Sequence, residues 1–183
     1  MKLYLVRHGE TVKVDGVVQS QDNPLTEKGK QQAREAAKLV ANLYIEHFYC
    51  SDILRAVQTA EIINEKLSMQ IIADPRLRGM DGDDSIKGLT EKQVNEFVNS
   101  GKIRDPWLKQ FENAKNFLLE LKEKRQNNIL IVGHNGTVRM FQCAVKEDEW
   151  IPGKAKRQPE IPNCEVVVID TDEINRDGSR CRT

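Results

Sequence analysis

Arg7-His8-Gly9 follows directly on the apolar run Leu3-Tyr4-Leu5-Val6 near the start of the chain. An imidazole can attack phosphorus, a guanidinium can grip phosphate oxygens with forked donors, and a glycine lets backbone come close. Arg55 and the pair Gly133-His134 lie far along the chain and supply what the first segment would lack. Arg55 brings a second positive charge for a dianion. His134 brings a second imidazole to donate to an oxygen as charge spreads during transfer. Two arginines near His8 would also disfavour its protonation and keep it nucleophilic. The chemistry this set implies is phosphoryl transfer to His8, followed by cleavage with water. Helix starts after Gly9 or Gly136 would add backbone donors for an anion.

The elements that must position these residues can be read from periodicity. Strands are expected at Lys2–Val6, His47–Cys50, Gln70–Ala73, Ile129–Val132 and Val166–Ile169. Helices are expected from Thr26, as N-cap, to about Tyr44, over Ser51–Leu67, from Thr90 to about Phe97, over Pro106–Arg125 and over Thr137–Val145. Strands and helices alternate, which predicts an α/β three-layer sandwich: a mostly parallel sheet with helices on both faces. Ligands bind such sheets beyond the carboxyl ends of the strands. Three of the strands run into the chemically active residues there.

Composition narrows the field. The chain has 183 residues, expected to form a single domain with a short cap-like insert around 75–110. Lysine plus arginine and aspartate plus glutamate are 28 each, so no overall field favours nucleic acid or an anionic membrane. No apolar stretch approaches the ~20 residues of a membrane helix. Cys50, Cys143, Cys164 and Cys181 lack paired spacing, which fits a reduced, cytoplasmic protein. Three histidines without Cys-x-x-Cys argue against a structural zinc, and neither metal nor cofactor is expected. His47, Ser51 and Thr59 read as structural, and Arg139 as a brace for the site or a helix-surface residue. Trp107 and Trp150 suit either core or an interface, so a monomer or homodimer is expected.

Three segments together resemble the histidine phosphatase superfamily, in its phosphoglycerate-mutase-like branch. They are Leu5-Val6-Arg7-His8-Gly9-Glu10-Thr11, Cys50-Ser51-Asp52-Ile53-Leu54-Arg55-Ala56-Val57-Gln58-Thr59-Ala60 and Val132-Gly133-His134-Asn135-Gly136-Thr137-Val138-Arg139. Pro24-Leu25-Thr26-Glu27-Lys28-Gly29 and Pro162-Asn163-Cys164 also match. The resemblance implies a phosphatase that hydrolyses a phosphomonoester of a small metabolite through a phosphohistidine. His8 would be the nucleophile, with Arg7, Gly9, Arg55 and His134 binding phosphate.

The sequence departs from the family at two places. Gly79 stands where the family's acid glutamate would be, in Arg76-Leu77-Arg78-Gly79-Met80-Asp81. Asp81 is the leading substitute as proton donor, being two residues on in an extended segment; Asp83 and Asp84 are alternatives. Val14 and Asp15 occupy the place where the family often has a phosphate-binding asparagine. These losses leave two alternatives: a phosphohistidine (phosphoramidate) phosphatase, whose leaving group needs less protonation, or a weakly active phosphate-binding protein. A mutase is least expected.

Overall fold

A computed structural model of the chain describes residues 1–12, 22–80, 83–146 and 159–172. The strands are β1 (Lys2–Arg7), β2 (His47–Cys50), β3 (Ile71–Ala73), β4 (Ile129–Gly133) and β5 (Val166–Asp170). The helices are α1 (Glu27–Val40), α2 (Leu54–Leu67), α3 (Glu91–Asn99), α4 (Pro106–Glu123) and α5 (Asn135–Lys146). The strands form one sheet in the order β3-β2-β4-β1-β5. β1, β2, β3 and β4 are mutually parallel, and β5 closes the edge antiparallel to β1. The sheet is therefore mostly parallel, with helices on both faces.

Period-two alternation along the central strands builds both sides of the core. Leu3, Leu5, Ile129 and Ile131 pack with Phe111, Phe117, Leu121, Val138 and Phe141 of α4 and α5. Tyr4, Val6, Leu130 and Val132 face the opposite way, onto Ala33, Ala36, Ala37 and Val40 of α1 and Ala56, Ala60 and Ile63 of α2. The small residues of α1 and α2 let these helices lie close to the sheet and to each other.

Helix ends follow their caps. The Thr26 hydroxyl accepts from Gly29 N–H at 3.0 Å, and Thr90 and Gln93 form a capping box on α3. Three of the boundaries that differ from the periodicity have a local cause. α1 stops at Val40 because Asn42 and Leu43 turn back onto the carbonyls of Leu39 and Val40. α2 begins only at Leu54, because the Ser51 hydroxyl takes the Ile53 N–H in a turn ahead of the helix. α5 begins at Asn135, two residues early, since the His134 carbonyl already accepts from Val138 N–H at 3.0 Å.

No helix among the described residues is long and apolar enough to cross a membrane. Cys50, Cys143 and Cys164 are buried free thiols, and burial pushes those of Cys50 and Cys164 up to about 12. Cys181, Val14, Asp15 and Trp150 lie outside the described residues.

Candidate active site

The parallel ladder decides which side chains meet. Arg7 is in register with Gly133, and Cys50 with Val132. The residues just beyond continue the pairing: His8 N–H donates to Gly133 O at 2.8 Å, and Ser51 N–H to Val132 O at 2.9 Å. β1, β2 and β4 thus end together, and His8, Ser51 and His134 emerge side by side. The two imidazole rings stand edge to face, with centroids 5.1 Å apart and planes at 64°. Arg7, His8, Arg55 and His134 are all buried, Arg55 with only 1% of its surface exposed.

His8 has a fixed proton arrangement. Its Nδ1 lies 2.7 Å from the Gly9 carbonyl. A carbonyl oxygen only accepts, so Nδ1 carries the hydrogen and Nε2 keeps its lone pair. Burial lowers the His8 pKa well below the usual 6.5, and the neighbouring His134, Arg55 and Arg7 push it the same way. Burial, then Arg55 and Arg7, lower His134 likewise. Both rings are therefore neutral at physiological pH.

A set of small contacts holds this geometry. The Thr59 hydroxyl accepts from Gly9 N–H at 3.1 Å and donates to the Arg55 carbonyl at 2.7 Å, tying α2 to the loop after β1. Asn163 Nδ2 donates to the His8 carbonyl at 2.7 Å, and Cys164 N–H to the Arg7 carbonyl at 2.9 Å. The segment Pro162-Asn163-Cys164 thus clamps the backbone of Arg7 and His8. A Cβ on Gly9 would sit 2.4 Å from the Gly29 carbonyl, and one on Gly29 2.2 Å from that of Glu10. Only glycine at both places lets the loop lie against the first turn of α1.

Arg7 reaches away from the sheet. Its Nη1 bonds Glu160 at 2.7 Å and also donates to the Ile161 carbonyl. Arg139 Nε donates to the Pro159 carbonyl at 3.2 Å and stands in the field of Glu160 and Arg7, as a brace would. The Arg7 Nε is buried with no hydrogen-bond partner among the described residues. A buried charged donor without an acceptor is costly, and an anion in the site would satisfy it.

Two residues that the sequence reading treated as structural touch the site. Ser51 Oγ lies 3.0 Å from His134 Nε2, and Thr59 anchors Gly9. For Thr59 the available signal was its place four residues after Arg55 on α2, one helix turn away; for Ser51 it was its place directly after β2.

The loop after β3 forms the other wall. Arg78 grips Asp52 with two bonds of 2.7 and 2.6 Å, and these hold the Asp52 carboxyl below the ordinary range. Gly79 is buried and lines a cavity of about 280 Å³ with Arg78, Asp83 and Gln110. Burial alone would raise the Asp83 carboxyl, but bonds from Ser85 and Lys109 outweigh it and the net shift is downward. Asp84 is exposed, and Asp81 lies outside the described residues. Further along, Lys92 pairs with Glu96, Arg104 with Glu112, and Lys102 stands over the Phe97 ring. Among the described residues no cluster of His, Cys, Asp and Glu could hold a metal ion.

The sequence profile of the histidine phosphatase superfamily (branch 1) matches residues 3–181. The chain belongs to that superfamily. Among curated relatives, it is 34% identical over 194 residues to the probable phosphoglycerate mutase GpmB of Escherichia fergusonii, covering 94% of this chain and 86% of that protein. Among solved structures it resembles a mycobacterial glucosyl-3-phosphoglycerate phosphatase, with a TM-score of 0.72, 20% identity and coverage of 91% and 88% of the two chains. It also resembles the phosphoserine phosphatase of Entamoeba histolytica in complex with 3-phosphoglyceric acid, with a TM-score of 0.69, 25% identity and coverage of 91% and 89%.

Proposed function

We propose that this chain is a phosphatase that hydrolyses a phosphomonoester of a small metabolite through a phosphohistidine at His8. The observation that carries the reading is the His8 ring itself. Its Nδ1 hydrogen is committed to the Gly9 carbonyl, its Nε2 lone pair remains, and burial beside two arginines keeps it neutral. That is the state a nitrogen nucleophile needs.

The steps balance with these residues. His8 Nε2 attacks phosphorus while the ester P–O bond breaks, and the alkoxide leaves with a proton. Arg7 and Arg55 neutralise the equatorial oxygens, and the orphaned Arg7 Nε gains an acceptor. The Ser51 hydroxyl accepts from Ile53 N–H and can give its own hydrogen to His134 Nε2. The tautomer then carries its hydrogen on Nδ1, through which His134 donates to the transferring group. Water next attacks phosphorus and yields a proton to the carboxylate left by the first step, the N–P bond breaks with its electron pair returning to His8 Nε2, and phosphate leaves. Asp81 is the proposed proton donor to the alkoxide. The segment 75–110 roofs the site as an insert within one domain, acting on a small soluble substrate in a cytoplasmic monomer or homodimer.

A second reading has its own support. Asp83 is held ionised by Lys109 and Ser85, and Asp84 is exposed. Among the described residues the site is thus short of proton donors, which suits a phosphoramidate, whose nitrogen leaving group needs less help.

The test is covalent trapping. Brief incubation with radiolabelled phosphoester, followed by denaturation, should leave an acid-labile, base-stable label on His8 that H8A lacks. Turnover without such a label would discard the mechanism.

A further inference from the structure

We propose that the cavity beside Gln110 receives the leaving group, and that the Gln110 amide selects substrates bearing adjacent neutral hydroxyls, as in polyol or sugar phosphates. The proposal rests on the phosphatase reading above and adds the substrate class to it.

Gln110 lies on α4, one turn after Pro106-Trp107, and only 7% of its surface is exposed. Both amide heteroatoms, Oε1 and Nε2, are buried without a hydrogen-bond partner among the described residues. Buried polar groups are nearly always paired, and a glutamine amide carries both a donor and an acceptor function. Two idle functions at one buried amide mark a place prepared for a ligand that supplies both.

The amide lies against the first turn of α5. Its Oε1 lies 2.7 Å from where a Cβ on Gly136 would stand. Gly136 is in the first turn of α5, two residues after His134, so only a glycine there leaves the amide its room. The same turn is joined to the other wall by Thr137 Oγ1, which donates to the Leu77 carbonyl at 2.9 Å. Gly79, without a side chain where the family resemblance places an acid, lines the same cavity. At about 280 Å³ the space far exceeds the share of one water, about 30 Å³.

Charge decides between ligand types. Three cations line the cavity, and each is already held by carboxylate. Arg76 is bound by Asp74 and Glu120, Arg78 by Asp52, and Lys109 by Asp83. A second anionic group would have to displace one of these pairs. A neutral group with adjacent hydroxyls, each both donor and acceptor, meets the amide without doing so.

Titration calorimetry on H8A, which cannot turn substrate over, tests this with three probes: inorganic phosphate, glycerol 1-phosphate and propyl phosphate. The last two have the same carbon count and differ in their hydroxyls. H8A should bind glycerol 1-phosphate about tenfold more tightly than propyl phosphate. Adding Q110M should reduce that preference below twofold and leave the phosphate affinity within twofold. Q110L gives the same comparison should Q110M not fold. Equal affinity for the two esters in H8A, or parallel loss of both in Q110M, overturns the subsite and leaves the phosphatase reading standing. Failure of inorganic phosphate to bind, with no turnover of any ester by the wild-type chain, overturns both.

Discussion

The strand-end rim and the loop wall after β3 border one another but are built on different principles. At the rim, backbone register places every side chain. His8, Ser51 and His134 follow from three parallel strands that end together, and the backbone of Arg7, His8, Gly9 and Arg55 is tied by Thr59, Asn163 and Cys164. At the wall, side chains hold one another through part-exposed ion pairs such as Arg78–Asp52 and Lys109–Asp83. Such pairs are worth little individually. On the proposed function the rim therefore cannot change without loss of the chemistry, whereas the wall can be rebuilt at small cost to the fold. The proposal thus assigns the chemistry to the first region and substrate choice to the second.

Substitutions should reproduce that division. H8A should lower kcat by about four orders of magnitude or more in a steady-state assay on an aryl phosphate. R55K keeps the charge but loses the fork, and kcat/KM should fall by about 10²-fold or more. G9A should cost about 1–3 kcal/mol in urea unfolding, because its Cβ meets the Gly29 backbone carbonyl, which cannot move aside cheaply. Wall substitutions should be mild: K109A should change unfolding free energy by less than about 0.5 kcal/mol. A K109A variant as damaged as G9A would erase the distinction.

Protons sharpen it further. The buried rim imidazoles of His8 and His134 bind protons only well below 6.5, while in the unfolded chain they do so near that value. Between those limits the unfolded state holds more protons. Stability should thus fall as the pH drops below 6.5 and level off once the folded rings themselves protonate. H134N should flatten the slope measured by urea midpoints at successive pH values. The acid limb of kcat/KM should likewise lie below pH 6.5, and R55M should move it upward by removing a positive neighbour of His8.

Much of this molecule was legible from the chain. Alternation in Leu3-Tyr4-Leu5-Val6 and the apolar run Ile129–Val132 specified central strands, because side chains on a strand must face two opposite layers. Thr26 and Thr90 marked helix starts, because their hydroxyls satisfy amides that no helical carbonyl can reach. The types Arg, His and Gly at the ends of strands pointed to the chemistry proposed above, since few residues can attack phosphorus or grip a dianion. Tertiary structure alone decided what those residues do to one another. Ser51 became the partner of His134, Asn163 the clamp on His8, and Gln110 the buried amide beside Gly136, each across 26 or more residues of sequence. No local pattern encodes such contacts, because they arise from strand register and helix placement, which are set by the packing of the whole sheet.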